Sequence, residues 1–289
     1  DHLWLDIRHL GAKHIKTILR EVEEICNNFL GIDPITQLIP VRPAQHYTMA
    51  GVRTNKDGAA HGLKGLFSAG EAACWDLHGF NRLGGNSLAE TVVAGRIVGK
   101  KIVEFLQGYE LQYSTSIIRD AFNKDQERID RLISGKNGDE NVFVILKAMQ
   151  DELTDRVGIF RNGKDLQTAV DNLQEIYARS KKVSLLSNGL GGNPELSLTL
   201  KIQGMVKLSL CVAYGALMRT ESRGCHARED YTARNDRDWL KRTLATWKEG
   251  DDLPTLNYEP FSKVMEMPPG ERGYGASKII TCDGDTIGE

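Results

Sequence analysis

Between Gln45 and Leu88 the chain is cut into short apolar pieces by Gly51, Asn55, Gly58, Gly62, Gly70, Gly84 and Gly85, and it then enters an apolar run of helical spacing. Such punctuation predicts strands and tight turns followed by a helix, because glycine and asparagine bend the backbone where bulkier residues resist. Leu66-Phe67-Ser68-Ala69-Gly70 reads as the last strand, and Leu88 to Leu106 as the helix. Gly95 and Gly99, four apart on that helix, offer a strip without side chains where a neighbouring element can approach closely.

The same segment concentrates the groups able to do chemistry. Glu71 follows the strand end, where a carboxylate can accept hydrogen bonds from sugar or ribitol hydroxyls while Gly70 lets a ligand approach the backbone. Read alone, it is more simply a surface acid after a turn. Arg82 leads through Gly84-Gly85-Asn86-Ser87 to the helix start, so free amides and the positive end of the helix dipole would face a cofactor. A guanidinium in such a loop can grip a carboxylate with two parallel hydrogen bonds. Its structural alternative is an arginine that satisfies a surface acid or a helix end. His46 follows the stiff Pro40-Val41-Arg42-Pro43 segment; a lone histidine is more often structural, and His61 and His78 read as ordinary loop residues. Cys74 and His78 have metal-ligand spacing, but no second pair completes a cage, so no metal is expected.

Elsewhere the chain reads as helix. Ile15, Ile18, Leu19, Val22, Ile25, Cys26 and Phe29 recur at helical spacing and stop at Gly31 and Pro34. Val142, Ile145, Leu146, Met149 and Leu153 form one later stripe, and Leu166, Ala169, Val170, Leu173, Ile176 and Tyr177 a second. Asn193 can cap a third helix with Pro194 in its first position; its apolar residues occupy more than one face, which places it centrally in a bundle. Residues 221–238, rich in paired charges, read either as a salt-bridged helix end or as part of a subunit interface. After Trp247, prolines and glycines predict an irregular tail.

A formal charge of −2 over 289 residues gives no broad basic surface, so nucleic acid is not an expected partner. Five cysteines without a C-x-x-C pair favour reduced thiols. No uninterrupted apolar run reaches the ~20 residues that span a bilayer, so membrane association is expected to come through another protein. Asp1 opens directly into Leu3-Trp4-Leu5-Asp6-Ile7, which reads as a piece of a longer chain.

Taken in order, Leu5-Asp6-Ile7-Arg8-His9-Leu10-Gly11, Ile39-Pro40-Val41-Arg42-Pro43, His46-Tyr47-Thr48-Met49, Leu66 through Glu71, Asn81-Arg82-Leu83-Gly84 and Glu221 through Tyr231 resemble the flavoprotein subunit of the fumarate reductase and succinate dehydrogenase family. The likeness covers essentially the whole chain and is nearest to bacterial quinol:fumarate reductases. It implies an α/β plus α fold: residues 1–40 as the end of an α+β capping domain, 41–105 as the C-terminal part of a Rossmann-like FAD domain, 106–248 as an antiparallel helical bundle, and 249–289 as a tail. It further implies that His46 and Arg82 bind a dicarboxylate, that Glu71 contacts FAD, and that Ser87 and Leu88, with Asn86 beside them, lie against the flavin. Fumarate and succinate are the implied substrates. The implied partners are an iron–sulfur subunit and a membrane anchor with quinone, on the cytoplasmic side of the inner membrane.

The family's Gly-x-Gly-x-x-Gly motif, covalent-FAD histidine, second substrate histidine and proton-donating arginine precede the part matched here, so the 289-residue chain alone is expected to be inactive. Ala50 stands where the family usually has a second glycine. L-aspartate oxidase resembles the chain at the histidine, the arginine and Glu221-Ser222-Arg223-Gly224, but the continuation past Trp247 to Gly270-Glu271-Arg272-Gly273-Tyr274-Gly275 is unlike it. Succinate dehydrogenase resembles it as well, since direction depends on the quinone and partner subunits. A reading of another class makes residues 106–289 a docking module for the iron–sulfur subunit.

Overall fold

The computed structural model describes residues 2–42, 46–110, 114–135, 138–189, 191–260, 279–280 and 283–287. Pro43, Gln45, Cys282 and the tail segment Gly270 to Gly275, all used in reading the sequence, lie outside these. The chain divides into two compact units, Asp1–Thr48 and Met49–Glu289.

In the first unit, strand β1 (Leu3–Leu5) pairs antiparallel with β2 (Ile39–Val41), Leu5 lying opposite Ile39. Between them the expected single helix is broken. It consists of α1 (Gly11–Ile18), α2 (Arg20–Ile25) and a π turn over Cys26–Leu30. The amide of Leu19 donates to His14 as well as Ile15, at 3.4 and 3.1 Å, which widens the turn and separates the two helices. Gly31, at φ +65°, ends the run in the left-handed conformation predicted for a helix stop.

The second unit begins with β3 (Val52–Arg53), which pairs in parallel with β4 (Ala73–Cys74). The last strand of this segment is therefore β4, not residues 66–70 as the sequence suggested. Only Phe67 of that stretch makes an isolated bridge, to Ala59, and Gly70–Ala72 coil as a 3-10 turn. Gly70 explains the shift: its φ of +68° breaks the extended run, and an added Cβ would sit 3.0 Å from the Thr91 methyl. Thr91 belongs to α3 (Asn86–Gln107), the expected helix. Among the described residues, an added Cβ at Gly95 or Gly99 meets nothing within 4 Å.

After α4 (Thr115–Ile133), the helices α5 (Val142–Arg156), α6 (Gly163–Ser180) and α7 (Pro194–Met218) build the core. Ile145 and Met149 of α5, Leu166 and Leu173 of α6, and Ile202, Val206 and Leu210 of α7 are buried together. The two predicted stripes supply α5 and α6. Asparagines cap all three: Asn141 accepts from the amide of Phe143 at 2.8 Å, Asn162 from Asp165 at 2.9 Å and Asn193 from Leu196 at 3.0 Å. By length and composition α7, with a mean hydropathy of 1.3, could cross a membrane, which qualifies the reading of the sequence. Its buried residues pack on α5 and α6, the place of a core helix.

Short pairings complete the unit: β5 (Phe160–Arg161) runs parallel to β6 (Ala227–Arg228), and β7 (Arg234–Asn235) precedes α8 (Asp236–Trp239). The region after Trp247 is more regular than its prolines suggested. β8 (Lys241–Thr246) and β9 (Thr255–Pro260) form an antiparallel hairpin of six paired residues, and β10 (Ile279–Ile280) lies between β7 and β11 (Thr286–Ile287).

Candidate functional site

The backbone of residues 49–90 is shaped by close approaches that only glycine allows. A Cβ at Gly51 would lie 2.4 Å from the Ala72 carbonyl oxygen, and one at Gly58 would lie 2.2 Å from a Val98 methyl of α3. The Gly70–Ala72 turn itself meets α3 at Gly70, which lies against Thr91. Glu71 stands exposed in that turn. Gly85, at φ +79°, then swings the chain into α3, and the amide of Asn86 bonds the Leu83 carbonyl at 3.2 Å. Arg82 is half-buried just before this turn, its Nη1 3.4 Å from the Leu83 carbonyl.

The start of α3 has the features of a ligand-facing helix end. No side chain caps it and its first turn holds no acid. Ser87 contributes a buried hydroxyl that has no hydrogen-bond partner among the described residues, while Leu88 is 76% exposed beside it. An orphaned hydroxyl, a start without a side-chain cap and the positive end of a 22-residue helix together suit a polar or anionic edge of a bound group. Glu71, Arg82, Asn86, Ser87 and Leu88 thus belong to one neighbourhood, the turns around the N-terminal end of α3. His46 lies in the first unit, exposed, next to the buried Tyr47.

The loop joining β4 to Arg82 carries residues whose importance the sequence did not reveal. Glu90, on the buried stripe of α3 with Ala94 and Val98, accepts from Trp75 Nε1 at 2.7 Å and pairs with His78 Nε2 at 2.9 Å. His78 is therefore not an ordinary loop residue. The available signal was a carboxylate four residues before Ala94 in register with Val98, where an apolar residue was due. Asp76 has a left-handed φ of +73° and binds Arg242 at 2.7 Å and Arg53 at 3.1 Å. Phe80 stacks on His226, with ring centroids 6.0 Å apart.

The charge-rich stretch 219–242 is mostly inside the protein. Glu221, fully buried, binds Arg219 at 2.7 Å and Arg223 at 2.8 Å, and Arg223 continues to Asp236 at 2.6 Å. His226 takes Arg161 Nη1 at 2.8 Å on Nδ1 and faces the Arg219 carbonyl at 3.2 Å with Nε2. A guanidinium can only donate, so Nδ1 is the acceptor and Nε2 carries the proton. Burial, with Arg161 second, pushes this imidazole down to about 4. The paired charges of the stretch are thus salt-bridged within the chain.

The geometry can be set beside known proteins. Residues 1–88 match a family model described as an FAD binding domain, and residues 146–274 match the fumarate reductase flavoprotein C-terminal model. A fumarate reductase flavoprotein subunit of Helicobacter pylori is 43% identical over 304 residues, covering 95% of this chain and 42% of the relative. That of Escherichia coli is 36% identical, over 95% of this chain and 45% of the relative. A solved Escherichia coli quinol fumarate reductase chain superposes with a TM-score of 0.87 at 36% identity, covering 95% of this chain and 46% of that one. The chain spans somewhat less than half the length of these relatives.

Proposed function

The chain belongs to the fumarate reductase and succinate dehydrogenase flavoprotein family, and from that premise we propose that it carries part of the active site of an FAD-dependent fumarate reductase. The observation that carries the reading is the uncapped start of α3, with the orphaned Ser87 hydroxyl, entered directly from the Arg82 loop.

Asn86, Ser87 and Leu88 would hold a polar edge of the flavin at the helix end, and Glu71 would accept hydrogen bonds from hydroxyls of the cofactor. When bound, the reduced FAD would supply the hydride for converting fumarate to succinate, the proton coming from the arginine that the family carries before the part matched here. Arg82 grips one carboxylate of the dicarboxylate with paired N–H donors, and His46 hydrogen-bonds the dicarboxylate. Negative charge grows toward a carboxylate as hydride arrives, so donors fixed there stabilise the transition state more than the ground state. In this reading residues 1–40 end a capping domain, 41–105 complete the FAD domain, 106–248 form the helical domain and 249–289 the tail. An iron–sulfur subunit brings the electrons from quinol held by a membrane anchor, with the flavoprotein peripheral on the cytoplasmic face.

Fumarate-dependent oxidation of a reduced viologen dye by the flavin-loaded holoprotein carrying these residues tests the reading. Arg82→Ala is expected to lower kcat/KM by a factor of about 100 or more, the loss of a charge-assisted bidentate contact. Full activity in Arg82→Ala would overturn the site assignment.

A further inference from the structure

We propose that the loop from Trp75 to Phe80 is a rigid strut that positions the Arg82 guanidinium, with Glu90, Asp76 and Gly224 as its fixed points. The inference rests on the reading that Arg82 binds the dicarboxylate, and it extends the site to residues that the fold brings in from α3, β3, β8 and the segment after α7.

Four of the loop's five side chains, those of Trp75, Asp76, His78 and Phe80, are anchored to other parts of the fold. Trp75 and His78 are tied to the two oxygens of Glu90, at 2.7 and 2.9 Å, which fixes the loop to α3. Asp76 is held between Arg242 of β8 and Arg53 of β3, at 2.7 and 3.1 Å, its side chain only 8% exposed. Phe80 lies over the segment that follows α7: it stacks on His226 with an interplanar angle of 24°, and the Arg219 guanidinium carbon sits 5.0 Å from its centroid. Gly224 supplies the close approach. A Cβ there would stand 2.2 Å from the Phe80 Cβ, and the glycine's φ of +60° is itself unfavourable to other residues. Arg82 follows Phe80 by two residues, so the seat of Phe80 sets where the guanidinium starts.

A loop of ordinary surface character needs no such anchorage. A bidentate guanidinium contact does, because a misplacement of ~1 Å can cost on the order of 100-fold in rate. Glu90, Asp76 and Gly224 are positioning residues; none is argued to touch substrate.

The test compares Gly224→Ala with Gly135→Ala in the flavin-loaded holoprotein. Gly135 has a similar φ of +67°, but a Cβ there meets nothing within 4 Å, so it reproduces the backbone strain without moving Phe80. Succinate binding is measured by calorimetry and fumarate reduction by steady-state kinetics. Gly224→Ala should raise the succinate Kd about tenfold and lower the fumarate kcat/KM by at least as much, with kcat falling as well, while Gly135→Ala leaves both within about twofold. Should Gly224→Ala not fold, Glu90→Gln replaces it. That change keeps the shape and an acceptor for Trp75 but weakens the His78 pair, and a Kd rise of about threefold or more is expected. If Arg82→Ala weakens succinate binding and the Gly224 or Glu90 variant does not, the strut is wrong and the site stands. If Arg82→Ala leaves succinate binding unchanged, the site reading fails and the strut falls with it.

Discussion

His226 shows how a single buried side chain becomes a pH-dependent term in stability. Its Nδ1 faces the Arg161 guanidinium at 2.8 Å, so protonation would place two cations in contact inside the protein. The imidazole sits at about 4 in the folded chain against an ordinary 6.5. A depressed value means that the unfolded chain binds the proton first, so this contribution is complete above pH 6.5 and is lost as the pH falls toward 4. The loss amounts to about 3 kcal/mol when complete. Urea midpoints measured at pH 7, 5.5 and 4.5 should fall more steeply in the native sequence than in His226→Gln, and equal slopes would sink the assignment. Nothing in the sequence marked His226 for this, because the arginine that defines its state comes from 65 residues earlier. The residues that could be read were those whose chemistry is local. Arg82 through Ser87 are contiguous with a helix start, and Gly70-Glu71 is a turn by composition. Glu90 and Phe80 stayed hidden, since each acquires its meaning from a partner that the fold delivers.

At the level of elements, periodicity did most of the work, and it failed where a contact outside the segment decided the outcome. Asn193-Pro194 announces the start of α7 by cap chemistry alone, and the stripes of α5 and α6 follow from spacing. The ends of these helices could not be read the same way, because the charged stretch after α7 closes them. Arg228 Nη1 donates to the carbonyls of Ala216, Leu217 and Arg219, each at 3.0 Å, at the C-terminal end of α7. Arg161 does the same for α5 through Val157 and Gly158, at 3.1 and 2.8 Å. Asp230, held at about 2 chiefly by its hydrogen bond from Arg228, accepts the Gly163 amide at the start of α6 at 2.8 Å. Cations stand at two C-termini and an anion at an N-terminus, the arrangement that helix dipoles favour. Sequence composition shows the charges but neither that they close helix ends nor that Arg228 is buried in doing so. Arg228→Lys tests this: a lysine cannot serve three carbonyls and a bidentate carboxylate at once. It should destabilise the second unit by roughly 2–4 kcal/mol in chemical denaturation, as buried carbonyls lose their donors. A change below about 0.5 kcal/mol, the size expected of an ordinary surface charge, would show the closure to be unimportant.

The largest scale is that of contacts between segments far apart in the chain, and there the second unit is closed by a ring of four charges. Asp76 binds Arg53 and Arg242, at 3.1 and 2.7 Å, and Glu259 binds the same two arginines at 3.2 and 3.0 Å. The ring joins β3, the loop before Arg82 and the β8–β9 hairpin across separations of 166 and 206 residues. No local pattern encodes such a closure, which is why the sequence read the region after Trp247 as an irregular tail when part of it is a paired hairpin fastened to the FAD-type segment. Removing one member of a buried ionic set costs more than the set contributes, because the remaining charges are left without compensation. Asp76→Gly is the informative change, since glycine accepts the left-handed φ of +73° and only the carboxylate is lost. Both arginines would then lose a carboxylate partner, at a cost of about 3 kcal/mol. Amide hydrogen exchange separates a closure from a local defect. Protection should fall together in residues 75–80, 241–246 and 255–260, while the amides of α5, α6 and α7 keep theirs, because the core of those helices does not involve the ring. Loss confined to residues 75–80 would mean that the hairpin stands without the ring. A uniform loss through the helices would mean that the second unit unfolds as one body, and that the four charges hold the Arg82 loop only by holding everything.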